Sequence, residues 1–220
     1  MSFLSRNVLG PAYRTINGLL GRVRRAQTQR IPRVELTSRH IRNLRVVIDR
    51  QAFLMELPKE GMVAEVGVAR GDLSDQILNI TRPSQLHLID MWGSKRYHEG
   101  LARLVKERFA TPIAQGKVQV HQGASTVELQ RFPDGFFDWI YIDTDHSYEL
   151  TKAELAIGMR KVKAGGILAG HDFTTANWDG GVRYGVVEAV HAFCVEHDWE
   201  LILLTHETDR HLSFAIRAMQ

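Results

Sequence analysis

Residues able to hold or move a proton are concentrated in two short runs of this chain. Residues 137–149 read FDWIYIDTDHSYE and carry Asp143, Asp145 and His146. Residues 165–173 read GGILAGHDF and carry His171 and Asp172. Each run begins apolar and β-rich and ends in acids and imidazoles. If both are strands of an open α/β sheet, these five side chains converge at its carboxyl edge, where such sheets bind ligands. Packing alone does not account for them, because buried charge is costly unless paired. Oxygen-rich sites suit magnesium, and imidazole moves the preference toward manganese, iron, nickel or zinc. Such a cation lowers the pKa of a bound hydroxyl. A neutral histidine takes the proton directly. Either device turns an alcohol into a nucleophile. Asp145 also suits the first turn of a following helix, where the dipole favours an acid.

A second constellation lies upstream. Residues 63–72 read VAEVGVARGD, a buried strand running into Gly67, with Gly71 opening a helix. Glycines at such a bend let the backbone approach a ligand with no Cβ in the way. The spacing is G-x-x-x-G, not the dinucleotide pattern G-x-G-x-x-G, so pyrophosphate is not the expected ligand. Asp90 ends the next apolar run, LHLID, where an acid accepts hydrogen bonds from the ribose hydroxyls of an adenosine. Capping a turn is its other possible use. The small loop Gly123-Ala124-Ser125 after the third run is suited to flank an adenine ring.

The elements that must position these residues follow from periodicity. Strand-like runs fall at residues 62–67, 86–90, 118–121, 137–142 and 166–169, with helical stretches at 72–80, 96–110, 126–131 and 147–162. This βαβα alternation predicts a parallel sheet covered on both faces. A helix at 182–197 and two further strands, 200–205 and 212–217, follow. Residues 207–210 between them make a turn, so these two strands pair antiparallel. Pro58 and Gly61 mark a boundary that separates residues 1–57, a basic helical arm, from a domain at 58–220. In the arm Tyr13, Ile16, Leu19, Leu20 and Val23 recur at helical spacing with arginines opposite. A second helix is expected over 38–57, carrying Ile41, Leu44, Ile48, Phe53 and Leu54.

Residues 63–72 together with Asp90 resemble the class I S-adenosylmethionine-dependent methyltransferases, over roughly residues 60–218. The resemblance implies an α/β fold with a Rossmann-like, seven-stranded, mostly parallel sheet and an antiparallel C-terminal hairpin. It places Glu65, Gly67, Val68 and Gly71 around the methionine and sugar of the cofactor. Asp90 and Met91 fall at the ribose, and Ala124 and Ser125 near the adenine. IDTDHSYE followed by GHDF is similar to the subgroup of macrolide-sugar and other natural-product O-methyltransferases and cephalosporin-hydroxylase-like proteins. That similarity implies a metal site of Asp143, His171 and Asp172 for Mg²⁺ or Mn²⁺, with His146 as the base. His171 stands where metal-dependent relatives often carry an acid, which lowers the ligand charge.

The remaining features bound the function. Residues 1–50 hold eleven arginines, no lysine and two acids, whereas the rest holds seventeen basic and twenty-three acidic residues. The acidic body argues against a nucleic-acid partner, as does IDTD where N/D-P-P-Y would stand. A single cysteine, Cys194, excludes a disulfide framework and suits a cytoplasmic location. No apolar run is long enough to span a bilayer. The arm is expected to join two copies as a homo-oligomer or to cover the acceptor pocket; an anionic surface, a mitochondrial presequence and a merely solvated pair of helices are the other readings. Residues 174–184, with Trp178, suit a lid, and Tyr97 and His98 suit the acceptor side. The function these features point to is O-methylation of a small sugar or phenolic hydroxyl. The alternatives are metal-independent N-methylation and a non-catalytic adenosyl- or partner-binding domain.

Overall fold

The computed structural model describes residues 3–177, 181–207 and 211–219. In chain order the elements are helix α1 (Phe3–Gln29), a 3-10 turn (Ser38–Ile41), β1 (Arg45–Val47), α2 (Arg50–Glu56), β2 (Met62–Val66), α3 (Asp72–Thr81), β3 (Gln85–Asp90), α4 (Glu99–Arg108) and α5 (Ala110–Ala114). They continue with β4 (Val118–Gln122), α6 (Ser125–Gln130), β5 (Phe137–Ile142), α7 (Tyr148–Lys161), β6 (Val162–Gly170), β7 (Ala176–Asn177), β8 (Val182–Arg183), α8 (Val186–His197), β9 (Trp199–Thr205) and β10 (Phe214–Ala218).

One sheet has the order β1-β9-β10-β6-β5-β2-β3-β4. Its strands run parallel except β10, which is antiparallel to both β6 and β9. The strand order reverses between β2 and β5, and that is where an open α/β sheet leaves a crevice. Along β2 and β5 alternate side chains enter opposite layers. Val63, Trp139 and Tyr141 pack under α2, α3 and α4, while Ala64, Val66, Ile140 and Ile142 pack under α6, α7 and α8. Burial on both faces explains why these strands read as continuous apolar runs.

The sheet has eight strands, not seven. The extra strand is β1, which pairs parallel with β9 from Arg45↔Leu203 to Val47↔Thr205. The helix expected over 38–57 is therefore corrected to a 3-10 turn, a strand and a short helix. The helical spacing of Ile41 and Ile48 was misleading, since they are 44% and 74% exposed. Asp49 breaks the segment by capping α2, accepting from the Ala52 N–H at 2.8 Å. Phe53 and Leu54 are fully buried, each contributing about 2 kcal/mol. Residues 38–57 thus pack on the sheet, while α1 touches the separate β7–β8 pair, where Arg183 Nε lies 3.4 Å from Thr28 Oγ1. Two other helices start later than expected. His98 caps α4 by accepting from the Gly100 N–H, and Val182–Arg183 pairs with Ala176–Asn177 before α8 begins. Most of the 207–210 turn and Trp178 lie outside the described residues.

Away from the crevice, His87 Nδ1 lies 3.0 Å from His121 Nε2, with the rings stacked and Phe132, Phe136 and Phe137 edge-on to His87. Burial, then the neighbouring His121, pushes His87 down from 6.5 to about 4. A depressed histidine favours the fold above its unfolded value, and that contribution is lost as pH falls through the folded value. We therefore expect urea denaturation at a series of pH values to show stability falling between pH 6.5 and about 4. His87→Gln should flatten that slope. An unchanged slope in the variant contradicts the assignment.

Candidate active site

The crevice between β2 and β5 is built by close approach. Gly67 sits at φ +91° directly after β2, and a Cβ there would fall 1.8 Å from the Asp143 carbonyl oxygen. The Asp143 N–H donates to the Val66 carbonyl at 2.7 Å, which locks the two strand ends together. Four non-glycine residues at this edge also hold left-handed backbone: Ala69 (φ +50°), Trp92 (φ +42°), His146 (φ +61°) and Asp172 (φ +56°). Such conformations persist where the surrounding structure over-determines them, and they cluster at binding sites.

Two hollows open at this edge. A cleft of about 490 Å³ is lined by Gly67, Ala69, Asp90, Met91, Ala124, Ser125, Asp143, Thr144 and His146, among others. A neighbouring hollow of about 360 Å³ is lined by Arg50, Glu65, Val68, Arg96 and Leu101, and shares Gly67, Ala69, Tyr97 and Asp143 with the first. All the residues proposed for the cofactor except Gly71 line one of these. Gly71, at φ +81°, faces the Phe109 ring, which a Cβ would meet at 2.6 Å. Its place is in shaping the turn before α3.

Asp90 fastens this turn from the neighbouring strand. Its Oδ2 accepts from the Val68 and Ala69 N–H groups at 2.9 Å each, and its Oδ1 from the Trp92 N–H at 2.8 Å. A carboxylate has about four acceptor positions, so Oδ1 retains one, and Asp90 lines the cleft. Glu65 is buried and accepts from the Ser74 hydroxyl. Burial outweighs that bond and pushes its carboxyl up to about 8. Behind the cleft, Thr144 Oγ1 donates to buried Glu154 at 2.8 Å, and burial raises Glu154 to about 7.

At the other end of the cleft, ligating atoms of Asp143, His146 and Asp172 all lie within 4.8 Å of one another. His146 Nδ1 is 3.1 Å from Asp172 Oδ2, and its ring packs on Tyr184 with centroids 4.6 Å apart. His211 Nδ1 bonds Asp172 Oδ1. Burial alone would raise the Asp172 carboxyl, but the hydrogen bonds and charges of His171, His146 and His211 hold it down at about 2. For Asp143 burial prevails over the nearby histidines, and its carboxyl is raised.

His171 stands against Arg50 as well as the two acids expected beside it. Its Nε2 lies 2.5 Å from Arg50 Nη2. A guanidinium only donates, so Nε2 must accept and Nδ1 carries the proton. That proton faces Asp143 and Asp172, at 3.7 and 3.5 Å. The structure therefore brings His171 beside both acids, while His146 joins the same two acids with all three ligating atoms within 4.8 Å of one another. Asp145 bonds the Ser147 N–H at 3.2 Å, just before α7.

The model of the methyltransferase domain matches residues 64–173, half of the chain, from β2 through the Asp172 turn. The chain belongs to the methyltransferase domain family. No curated protein matches it. Among solved structures it is similar to a SAM-dependent methyltransferase from Aquifex aeolicus, with 15% identity over 74% of this chain and 84% of that one and a TM-score of 0.55. It is also similar to the M1A22 tRNA methyltransferase TrmK of B. subtilis, with 14% identity over 79% and 67% and a TM-score of 0.57. The pyocyanin biosynthetic protein PhzM matches at 14% identity over 73% of this chain with a TM-score of 0.57. This chain spans about half of PhzM's length, 51%. At these identities the likeness is one of fold.

Two residues beside the candidate site, His211 and Arg50, had no place in the sequence expectation, and Tyr184 stood there only as the end of the lid segment. His211 was missed although the antiparallel course of β10 puts that strand's beginning beside the carboxyl end of β6, where Phe214 pairs with Gly170. Arg50 follows β1, a strand hidden inside an apparent helix. Tyr184 reaches His146 because the Gly185 N–H donates to the His146 carbonyl at 2.8 Å, a contact with no sequence signal.

Proposed function

We propose that this methyltransferase takes its methyl group from S-adenosylmethionine and delivers it to a hydroxyl oxygen of a small acceptor, a sugar or a phenol. The observation that carries the reading is that Asp90 and His146 line one cleft. Its volume of about 490 Å³ lies within the range of small-molecule sites. In this reading Asp90 Oδ1 takes a ribose hydroxyl, Met91 lies at the ribose, and Ala124 and Ser125 flank the adenine. Arg50, Glu65 and Val68 then surround the methionine end. The bound sulfonium supplies an electrophilic methyl carbon.

The chain's part is to free the acceptor's lone pair. Asp172 is ionised and holds the His146 Nδ1 proton, which leaves Nε2 to accept a proton from the acceptor hydroxyl. Loss of that proton to Nε2 makes the oxygen a nucleophile; the cofactor would supply the methyl group and keep the electron pair of its carbon–sulfur bond. Asp143, between the two hollows, orients the acceptor. The mutual spacing of Asp143, His146 and Asp172 also fits one divalent ion, Mg²⁺ or Mn²⁺, which would polarise the same hydroxyl. Turnover that survives dialysis against a chelator assigns the proton to His146 alone. The acidic body supports a small acceptor over a nucleic acid.

Calorimetry with S-adenosylmethionine and S-adenosylhomocysteine tests the reading. Wild type should bind both, and Asp90→Ala should bind each about 100-fold more weakly, since it loses charge-assisted bonds to ligand and turn. Equal affinity in wild type and variant removes the assignment.

A further inference from the structure

We propose that α1 is a docking helix that lies on an anionic bilayer surface, with its apolar stripe in the headgroup boundary and its arginines on lipid phosphates. Ile16, Leu19, Leu20 and Val23 recur at i, i+3, i+4 and i+7, so they form one stripe. They are 58%, 63%, 44% and 49% exposed. Four large apolar side chains side by side in water mark a surface that something covers. Arg14, Arg22 and Arg25 are exposed on the same helix, and among the described residues none of them forms an ion pair. The helix carries five arginines and no acid or lysine, and the first acid of the chain is Glu35. Arginine's planar fork binds phosphate oxygens in pairs.

Charge decides between the candidate occupants. A second copy of α1 laid on the stripe would bring five more arginines and no carboxylate to pair them. A polynucleotide would pair the arginines and leave the stripe in water. An anionic bilayer meets both faces at once: apolar side chains enter the acyl boundary and guanidinium groups meet phosphates. No helix of the described residues is long and apolar enough to cross a membrane, so α1 lies on the surface. It is attached to the domain at its C-terminal end, at Thr28 and Arg183, which leaves residues 14–25 open to that surface.

The test is flotation of the full chain with vesicles of phosphatidylcholine alone and of phosphatidylcholine with phosphatidylserine. The full chain should float with the anionic vesicles and stay behind with the neutral ones. The double variants Arg22→Glu/Arg25→Glu and Leu19→Ser/Val23→Ser should each lower the bound fraction at least about tenfold. Both should keep the wild-type circular dichroism and calorimetric titration, because the altered side chains are exposed and line neither hollow. Three results would overturn the proposal: no flotation with anionic vesicles, flotation that survives the serine pair, or a sedimentation-velocity dimer lost in the serine pair without vesicle binding. Gel retardation of RNA that depends on the arginines and ignores the serine pair would also count against it.

Discussion

Gly67→Ala lowers the unfolding free energy by about 3 kcal/mol and removes detectable cofactor binding. The new Cβ would sit 1.8 Å from the Asp143 carbonyl oxygen and 2.6 Å from its carbonyl carbon. Both are backbone atoms at a strand end, so no side-chain rotation relieves the clash. Left-handed backbone costs an alanine about 1 kcal/mol, and forced displacement of packed neighbours about 2 kcal/mol more. Domain stabilities run about 5–15 kcal/mol, so the variant still folds. Its crevice, however, is wedged open where the two hollows meet. Urea denaturation and calorimetry measure the two effects separately. Gly116→Ala is the control: it has φ +71° with nothing within 4 Å of the added Cβ. It should lose only the backbone cost and bind normally. Wild-type cofactor affinity in Gly67→Ala would contradict the close approach described for β2 and β5.

Asp172→Asn keeps the cofactor and loses turnover about 1,000-fold. Asp172 lines neither hollow, so affinity should stay within about twofold of wild type. The loss falls on the proton transfer, where a positioned base contributes about 10²–10⁴-fold. An amide in that position carries no charge, and its NH₂ can face His146 Nδ1. The ring then adopts the tautomer with its proton on Nε2 and cannot take another from the acceptor. Transfer of labelled methyl to a panel of sugar and phenolic hydroxyls measures the loss. Undiminished transfer in Asp172→Asn would refute the His146–Asp172 assignment.

What could be read in advance depended on where a residue's role is local. Strands β2, β3 and β5 and the second half of β6 are buried on both faces and end at glycine or an acid, so their apolar runs declared themselves. Gly67, Asp90, Asp143 and His146 stand at the ends of such runs, and the rule that ligands gather at carboxyl edges was enough to bring them together. Strand β1 failed the same test. It is a three-residue edge strand with Val46 61% exposed, and its neighbours happen to repeat at helical spacing. Missing β1 meant missing Arg50, and without Arg50 nothing in the sequence fixes the tautomer of His171. His211 needed the direction of β10 as well as its existence. A β-strand that runs against the rest delivers its first residues, not its last, to the functional edge. Glu65 was legible as a candidate for the hollow it lines, but its raised carboxyl follows from burial, which spacing does not report.

The most direct measurement is a crystal structure of the chain with S-adenosylhomocysteine bound. The account predicts a ribose hydroxyl on Asp90 Oδ1, the adenine between Met91 and the Ala124–Ser125 loop, and the thioether sulfur facing Asp143 and His146. A ligand bound elsewhere, or one whose sulfur faces away from the Asp143–His146–Asp172 cluster, would contradict it.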